Sequence, residues 1–154
     1  MRKIVIITIV VLFASCCNKK NEKTSVFSNY LEETLGMKIP AGQHYFVILL
    51  QSVCRGGVYA SQIYLNAYLE KNPSLADRIT FIYSNQEMVN HDLLRKLNAL
   101  YDDEEKIDRL PATMGIGNLT IFSTVEGRIK NQTVINDNNF EEINTFMPPE
   151  GTQE

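Results

Sequence analysis

The sequence contains no tryptophan, only three cysteines and only two histidines. So few cysteines exclude a disulfide-stapled scaffold, since that class needs several closely spaced cysteine pairs. The histidines and cysteines also lack the spacing of zinc ligands, so we predict no metal site and no cofactor. The net charge of −3 is the wrong sign for a nucleic-acid-binding protein. We therefore expect a mildly acidic protein that has no nucleic-acid partner.

The chain also lacks an apolar run long enough to span a membrane. Its longest run, residues 4–13, is interrupted only by Thr8, whereas a transmembrane helix needs roughly 18 or more apolar residues. Two basic residues, at positions 2–3, precede this run, and the small residues Ala14 and Ser15 follow it. That order of a positive start, a short apolar core and small residues is typical of a secretory signal.

The segment Phe13-Ala14-Ser15-Cys16 resembles the lipobox of bacterial lipoproteins. In that family the cysteine sulfur receives a diacylglycerol, the preceding peptide is removed and the new amino group is acylated. The resemblance implies a cell-envelope protein that is attached to membrane lipid through an acylated Cys16. It further implies the outer membrane, facing the periplasm, because Cys17 stands where aspartate marks inner-membrane retention in enterobacteria. The alternative is an ordinary signal peptide in which both cysteines are incidental.

The composition divides the chain into four parts. Residues 1–15 are the predicted lipoprotein signal peptide, and residues 16–24, which are polar and charged, are a tether. Residues 25–147 are long enough for one domain with a real core. Residues 148–154, which begin with two prolines, are a short tail.

Helical and strand patterns alternate through this domain. Apolar residues at helical spacing predict a first helix that Thr24 or Ser25 caps and Gly36 ends. The next elements are a buried strand at 45–50, a helix at 58–71, a strand at 79–83, a helix at 90–101, a strand at 119–122 with a returning strand at 128–135, and a helix from Asn138 or Asn139 to Phe146. The acidic run 102–105 is predicted to be solvated.

Two segments resemble motifs of the thioredoxin fold. Cys54-Arg55-Gly56-Gly57 follows the first strand, where that family carries C-x-x-C, and Gly115 to Phe122 matches its cis-proline stretch, with Gly127 in the hairpin turn that follows. The resemblance implies an α/β, thioredoxin-like three-layer sandwich whose mixed sheet has helices on both faces. In that fold the strand at 45–50 runs parallel to 79–83 and antiparallel to 119–122.

The chain departs from the family at two positions that matter for catalysis. Gly57 stands where the second cysteine belongs, and Gly117 stands where the cis-proline belongs. A dithiol oxidoreductase needs the second thiol to resolve its mixed disulfide. We therefore do not expect classical dithiol exchange, although Arg55, Gly56, Gly57 and Gly117 remain candidates for lining a binding groove.

Cys54 is the candidate catalytic residue, with two alternative interpretations. A helix amino terminus and Arg55 favour a reactive thiolate there, but the cysteine is more readily explained as a small, partly buried vestige of an ancestral dithiol. Gly56 and Gly57 either ease the turn from strand to helix or bring backbone N–H groups toward an anion.

Three functions follow, and the sequence does not decide whether the chain is an enzyme. The first hypothesis is a binding or scaffolding role with an envelope protein as partner. The second is a monothiol redox role for Cys54, and the third pairs Cys54 with Cys17. His44 and His91 are expected to be surface or hydrogen-bonded histidines, not catalysts.

Overall fold

The computed structural model describes residues 22–50 and 55–149. Cys16, Cys17 and Cys54 lie outside these ranges. The helices are α1 (residues 22–35), α2 (Arg55–Lys71), α3 (His91–Lys96) and α4 (Glu142–Phe146). The strands are β1 (His44–Leu49), β2 (Ile79–Tyr83), β3 (Asn98–Tyr101), β4 (Leu119–Val125) and β5 (Arg128–Ile135).

The five strands form one mixed sheet in the order β3-β2-β1-β4-β5. The central strand β1 runs parallel to β2, with Val47 opposite Phe81, and antiparallel to β4, with Val47 opposite Ile121. β3 extends the parallel side, and the β4–β5 hairpin forms the antiparallel side. The predicted directions of all three central strands are confirmed, and the chain has the α/β thioredoxin-like fold.

Alternate residues of β1 feed two apolar layers, one on each face of the sheet. Phe46 and Ile48 pack with Phe27 and Leu31 of α1. Residues 45, 47 and 49 pack on the opposite face, against α2, α3 and α4. The residues predicted to be buried in the central sheet, Phe46, Ile48, Phe81, Ile121 and Phe122, are all fully buried. Helices therefore cover both faces, and none in the described ranges is long and apolar enough to cross a bilayer.

The predicted helix at 90–101 is wrong in its second half. α3 ends at Lys96, where the N–H of Leu97 donates to the carbonyl of Leu93, and residues 98–101 form β3. Leucines at this spacing suit either element. The open edge of β2 decides between them, because pairing there satisfies the backbone groups of residues 98–101.

Three predicted helix starts also move. α2 begins at Arg55, so Gly56 and Gly57 belong to its first turn instead of a loop, and neither has a positive φ. α1 already includes residues 22 and 23, so the predicted caps Thr24 and Ser25 lie inside the helix. Oγ1 of Thr24 accepts a hydrogen bond from the N–H of Ile129. The predicted stop at Gly36 is confirmed by its φ of +64°.

α4 begins at Glu142, later than either predicted cap. Asn139 instead closes the turn before the helix, because its Oδ1 accepts from the N–H of Asn136 and its Nδ2 donates to the carbonyl of Val134. These local bonds offer the backbone an alternative to helix.

The acidic run is not uniformly solvated. Asp102 is fully buried, and its Oδ2 accepts hydrogen bonds from the hydroxyl of Tyr30 and the N–H of Ile107. Residues 103 and 104 are exposed as predicted. A charge run in sequence does not reveal that one of its members turns inward to hold α1.

Candidate functional site

The candidate groove residues lie at the edge of the sheet that is formed by strand ends, where the central strand β1 finishes at its carboxyl terminus. Leu49, the last residue of β1, pairs with Leu119, the first residue of β4. Gly117 precedes that pair, and Gly57 lies in the first turn of α2, which follows β1 along the chain. Gly57 and Gly117 therefore both lie near the carboxyl-terminal end of β1.

The space beside Gly57 is occupied by a carboxylate. A β-carbon built on Gly57 would lie 1.8 Å from Oδ1 of Asp137, which follows β5. Contacts this short do not occur between real atoms, so any side chain at position 57 requires Asp137 to move. Sequence reasoning missed Asp137, because nothing in its local pattern indicates that the end of β5 reaches α2.

The space beside Gly117 is occupied by an apolar side chain. A β-carbon there would lie 2.6 Å from Cγ1 of Val134. The N–H of Gly117 also donates to Oγ1 of the buried Thr120 over 2.8 Å, a bond that proline cannot make. No peptide bond between described residues is cis. Position 117 is thus fitted to glycine by its packing and by its hydrogen bond.

The carboxylate of Asp137 weighs against two chemical interpretations of this site, namely anion binding by Gly56 and Gly57 and a reactive thiolate at Cys54. The amino end of a helix favours negative charge through its macrodipole. Asp137 already brings a negative charge to the first turn of α2, where it competes with an external anion and disfavours a thiolate nearby. The anion-binding interpretation of Gly56 and Gly57 therefore loses support.

Cys54 lies outside the described residues, and Arg55 is the first residue of α2. Gly56 is exposed, and nothing lies within 4 Å of a β-carbon placed on it. The assignment of these residues to a binding groove therefore stays a prediction.

His44 is held by hydrogen bonding, as expected. Its Nε2 lies 2.9 Å from Oγ1 of Thr80, across the β1–β2 pair. Burial lowers the pKa of His44 below its usual 6.5, and the charge of Arg78 lowers it further. His91, the first residue of α3, is exposed.

A second group that the sequence analysis missed lies at the same edge, beyond β2 and β3. Ser84 follows β2 and donates to Oδ2 of Asp108 over 2.5 Å. Asp102 follows β3 and accepts from Tyr30, whose pKa is raised by burial and by the charge of Asp102. Oδ1 of Asp102 is buried without a hydrogen-bond partner among the described residues.

An apolar surface lies on the same helix as the groove. Tyr59 and Ile63 are one turn apart on α2 and are 58% and 48% exposed. Tyr59 also lines a cleft of about 260 Å³ together with Glu87, Met88 and Val89. The buried amide of Gln62 joins α2 to the segment that lines this cleft. It donates to the carbonyl of Met88 and accepts from the N–H of Asn90, each over 2.8 Å.

The described residues contain no group of three or more histidine, cysteine or acidic side chains arranged to hold a metal. No family model matches the chain, and no curated protein matches it significantly.

Two solved structures are similar to the chain. One is the thioredoxin domain of a thiol-disulfide oxidoreductase from Bacteroides vulgatus, with 14% identity over 70% of this chain and 80% of that one, and a TM-score of 0.37. The other is a thiol:disulfide interchange protein from Bacteroides sp., with 13% identity over 73% of this chain and 77% of that one, and a TM-score of 0.40.

Proposed function

We propose that this chain is a lipid-anchored lipoprotein of the cell envelope whose thioredoxin-like domain binds another envelope protein and does not catalyse dithiol exchange. Cys16 carries the lipid, and the edge of the sheet beside Gly57 and Gly117, together with the exposed face of α2, receives the partner. On this proposal the fold serves as a binding module.

One observation carries the binding role. The two positions at which a thioredoxin needs cysteine and proline are glycines, and Asp137 and Val134 fill the space beside them. A side chain at position 117 would overlap Val134, and one at position 57 would require the exposed carboxylate of Asp137 to turn aside. The exposed Tyr59 and Ile63 support a docking role for α2, because their apolar area is left uncovered in the isolated domain.

A product-release assay tests this proposal. The purified full chain, reduced and then freed of reductant, should release no more reduced product from a protein disulfide than its own Cys54→Ser variant does. The reason is that a mixed disulfide on Cys54 has no resolving thiol at position 57, and no outside thiol is present to replace it. Release of reduced product in proportion to the chain, lost in Cys54→Ser, would contradict the binding proposal.

The monothiol role for Cys54 is the second candidate, because Cys54 directly precedes the first residue of α2. Asp137 provides a specific test of it. Asp137→Asn removes a negative charge from the start of α2, so it should speed a single-turnover reaction of Cys54 with a disulfide probe. Asp103→Asn, which removes an exposed carboxylate elsewhere, is the matched control. Equal rates in all three proteins would weigh against a functional thiolate.

A further inference from the structure

The two edge strands of the sheet differ in how far the rest of the domain covers them. At the β5 edge, the N–H of Ile129 donates to Oγ1 of Thr24, and the carbonyl of Val134 accepts from Nδ2 of Asn139. These side chains occupy the places that another strand would need. β5 also carries two exposed bases, and basic side chains on an edge discourage pairing with a further strand. The β5 edge is therefore protected.

The β3 edge has no such cover. The N–H of Asp102 donates to the carbonyl of Tyr83, so residue 102 faces β2. Successive residues of a strand turn their backbone groups to alternate sides, so Leu100 also faces β2, whereas Ala99 and Tyr101 face outward. Within the described ranges, no hydrogen-bond partner meets the outward N–H and carbonyl groups of these two residues. Each of them thus offers one donor and one acceptor to a further strand.

The side chains of β3 also lack the features that protect natural edges. Residues 98–101 include no charged residue and no proline, and their register with β2 is continuous. An edge strand without a charge, a proline or a bulge is prone to pair with another strand. Tyr101 is 39% exposed and Leu100 is half-buried, so apolar area is left uncovered at the same edge.

We propose that the β3 edges of two copies of this chain pair antiparallel across a twofold axis, so that their two five-stranded sheets become continuous. Leu100 lies on the axis, and Ala99 of each copy faces Tyr101 of the other. In this register the outward backbone groups of both residues form hydrogen bonds between the copies. Self-association goes beyond the proposed function, because it uses neither the candidate groove nor the exposed face of α2.

Side-chain size favours this register. Ala99 and Tyr101 lie on one face of the sheet, beside Phe81 and Tyr83 of β2. The ring of Tyr101 packs 5.3 Å from that of Tyr83, centroid to centroid. With Ala99 opposite it, the tyrosine of the other copy meets a methyl group and no bulky side chain, and the two Leu100 side chains meet each other on the other face. Apolar area on both faces is thereby removed from water.

Charge favours the antiparallel direction. The exposed Asp103 and Glu104 follow β3, and Arg95 and Lys96 precede it. Antiparallel pairing places the acidic residues of each copy beside the basic residues of the other, whereas parallel pairing would place the two acidic runs side by side. Because Arg95, Lys96 and Glu104 have ion-pair partners within their own copy, charge decides the direction of pairing more than its strength.

The paired edge is short, because β3 has only four residues. An interface of this kind belongs to the weak class, which buries less than about 1,200 Å² of surface. Copies held on one membrane by the proposed lipid anchor meet at a high local concentration, so a weak contact suffices there. The strength of pairing therefore rests on the proposed anchor, and membranes are the place to measure it.

Disulfide crosslinking of the full chain in membranes tests the pairing. Leu100→Cys is introduced into a parent that carries Cys17→Ser and Cys54→Ser, and the membranes are oxidised with copper phenanthroline. Residues opposed in a non-hydrogen-bonded antiparallel pair have Cα atoms about 4.5 Å apart, within the range that a disulfide spans. We therefore expect a dimer of twice the chain mass.

Asn98→Cys is the matched control. It lies on the same strand and is more exposed than Leu100, so random collisions would crosslink it at least as readily. In the proposed register the two copies of residue 98 stand at least about 13 Å apart, which is too far for a disulfide. We expect no dimer from this variant.

Backbone variants test whether hydrogen bonds hold the copies together. Ala99→Pro deletes an N–H that faces outward, a position at which an edge strand tolerates proline, and it should lower the Leu100→Cys dimer about tenfold or more. Ala99→Ser retains the N–H and a small side chain and should leave the dimer unchanged. Ala99→Arg, whose long side chain displaces the opposing Tyr101, is a second variant with the same expected loss. A dimer that persists in both Ala99→Pro and Ala99→Arg would contradict strand pairing.

Three further results would overturn the pairing: no dimer from Leu100→Cys, equal dimers from Leu100→Cys and Asn98→Cys, or a crosslink to a different protein. The last would mean that the edge receives another protein's strand. The parent separates this failure from failure of the anchor. A parent that dimerises through Cys16, or whose amino-terminal peptide carries no acyl mass, would overturn the anchor. Absence of a Leu100→Cys dimer would overturn the pairing in either case.

Discussion

Single buried polar residues connect the layers of this domain. Tyr30 of α1 and Asp102 after β3 are joined by a 3.0 Å hydrogen bond that is fully shielded from water. A buried carboxylate needs hydrogen-bond donors, because a buried polar group without a partner destabilises the fold by more free energy than one satisfied hydrogen bond contributes. Two donors serve one oxygen of Asp102, and the other oxygen has none among the described residues.

Tyr30→Phe should therefore destabilise the domain by about 1–3 kcal/mol, because it leaves the buried carboxylate with one donor fewer. The free energy of unfolding from urea titration measures the effect. Ser28→Ala is the control on the same helix, since it removes an exposed hydrogen bond to Glu32 and should change stability by no more than about 0.5 kcal/mol. Equal losses in the two variants would contradict the role assigned to Asp102.

His44 should make stability depend on pH. Burial lowers its pKa in the folded state below 6.5, so the unfolded chain binds a proton at a higher pH than the folded chain does. The resulting stability is present above pH 6.5 and is lost as the pH falls below that value.

In His44→Gln the decline in the free energy of unfolding between about pH 6.5 and 5 should be smaller than in the wild type. His91→Gln, which removes an exposed imidazole from α3, should retain the wild-type decline. Parallel pH profiles for the wild type and His44→Gln would show that the histidine does not contribute.

At the level of elements, the end of β5 and the residues that follow it determine the space available at the candidate site. A side chain at position 117 meets Val134 of β5, and a side chain at position 57 meets the carboxylate of Asp137, which follows β5. Introducing Cys at position 57 and Pro at position 117 should not by itself create an oxidoreductase, because the new side chain at position 117 overlaps Val134 and the one at position 57 requires Asp137 to move.

Gly117→Ala should destabilise the domain by about 1–3 kcal/mol through overpacking against Val134. Val134→Ala removes the colliding methyl groups, so the double variant should recover part of that loss. A double-mutant cycle in urea measures the coupling between the two positions. Effects that add within about 0.5 kcal/mol would mean that the two residues do not interact.

For the whole molecule, the proposed anchor determines where any binding takes place. None of the described helices is long and apolar enough to span a bilayer. On the proposed function, attachment depends on the acylated Cys16. Acyl chains supply most of the affinity, since each buried methylene contributes about 0.8 kcal/mol.

Cys16→Ser should release the full chain from the membrane fraction and remove the acyl mass from its amino-terminal peptide. Cys17→Ser is the matched control and should leave both unchanged. Fractionation and mass spectrometry together check this prediction. Continued membrane association of Cys16→Ser, with no change in mass, would contradict the lipoprotein assignment.

The sequence by itself determined most of the sheet. Continuous apolar runs such as 45–50 have no polar face to expose, and their aromatic and β-branched residues favour strands that are buried on both faces. The alternation of strands and helices then predicted a parallel pair of β1 and β2, and the thioredoxin resemblance implied that β4 runs antiparallel to β1. The sequence also shows directly that positions 57 and 117 lack the second cysteine and the cis-proline, because this depends on residue identity alone.

Only the tertiary structure decided the remaining features. Residues 98–101 carry leucines that fit a helix, and they became a strand because β2 had an open edge. Asp102 lies in a charged run, yet it is buried because Tyr30 of α1, 72 residues away in sequence, donates a hydrogen bond to its carboxylate. Asp137 meets Gly57 from a distant part of the chain. Each outcome depends on contacts between segments far apart in sequence, and no local pattern of residues records such contacts.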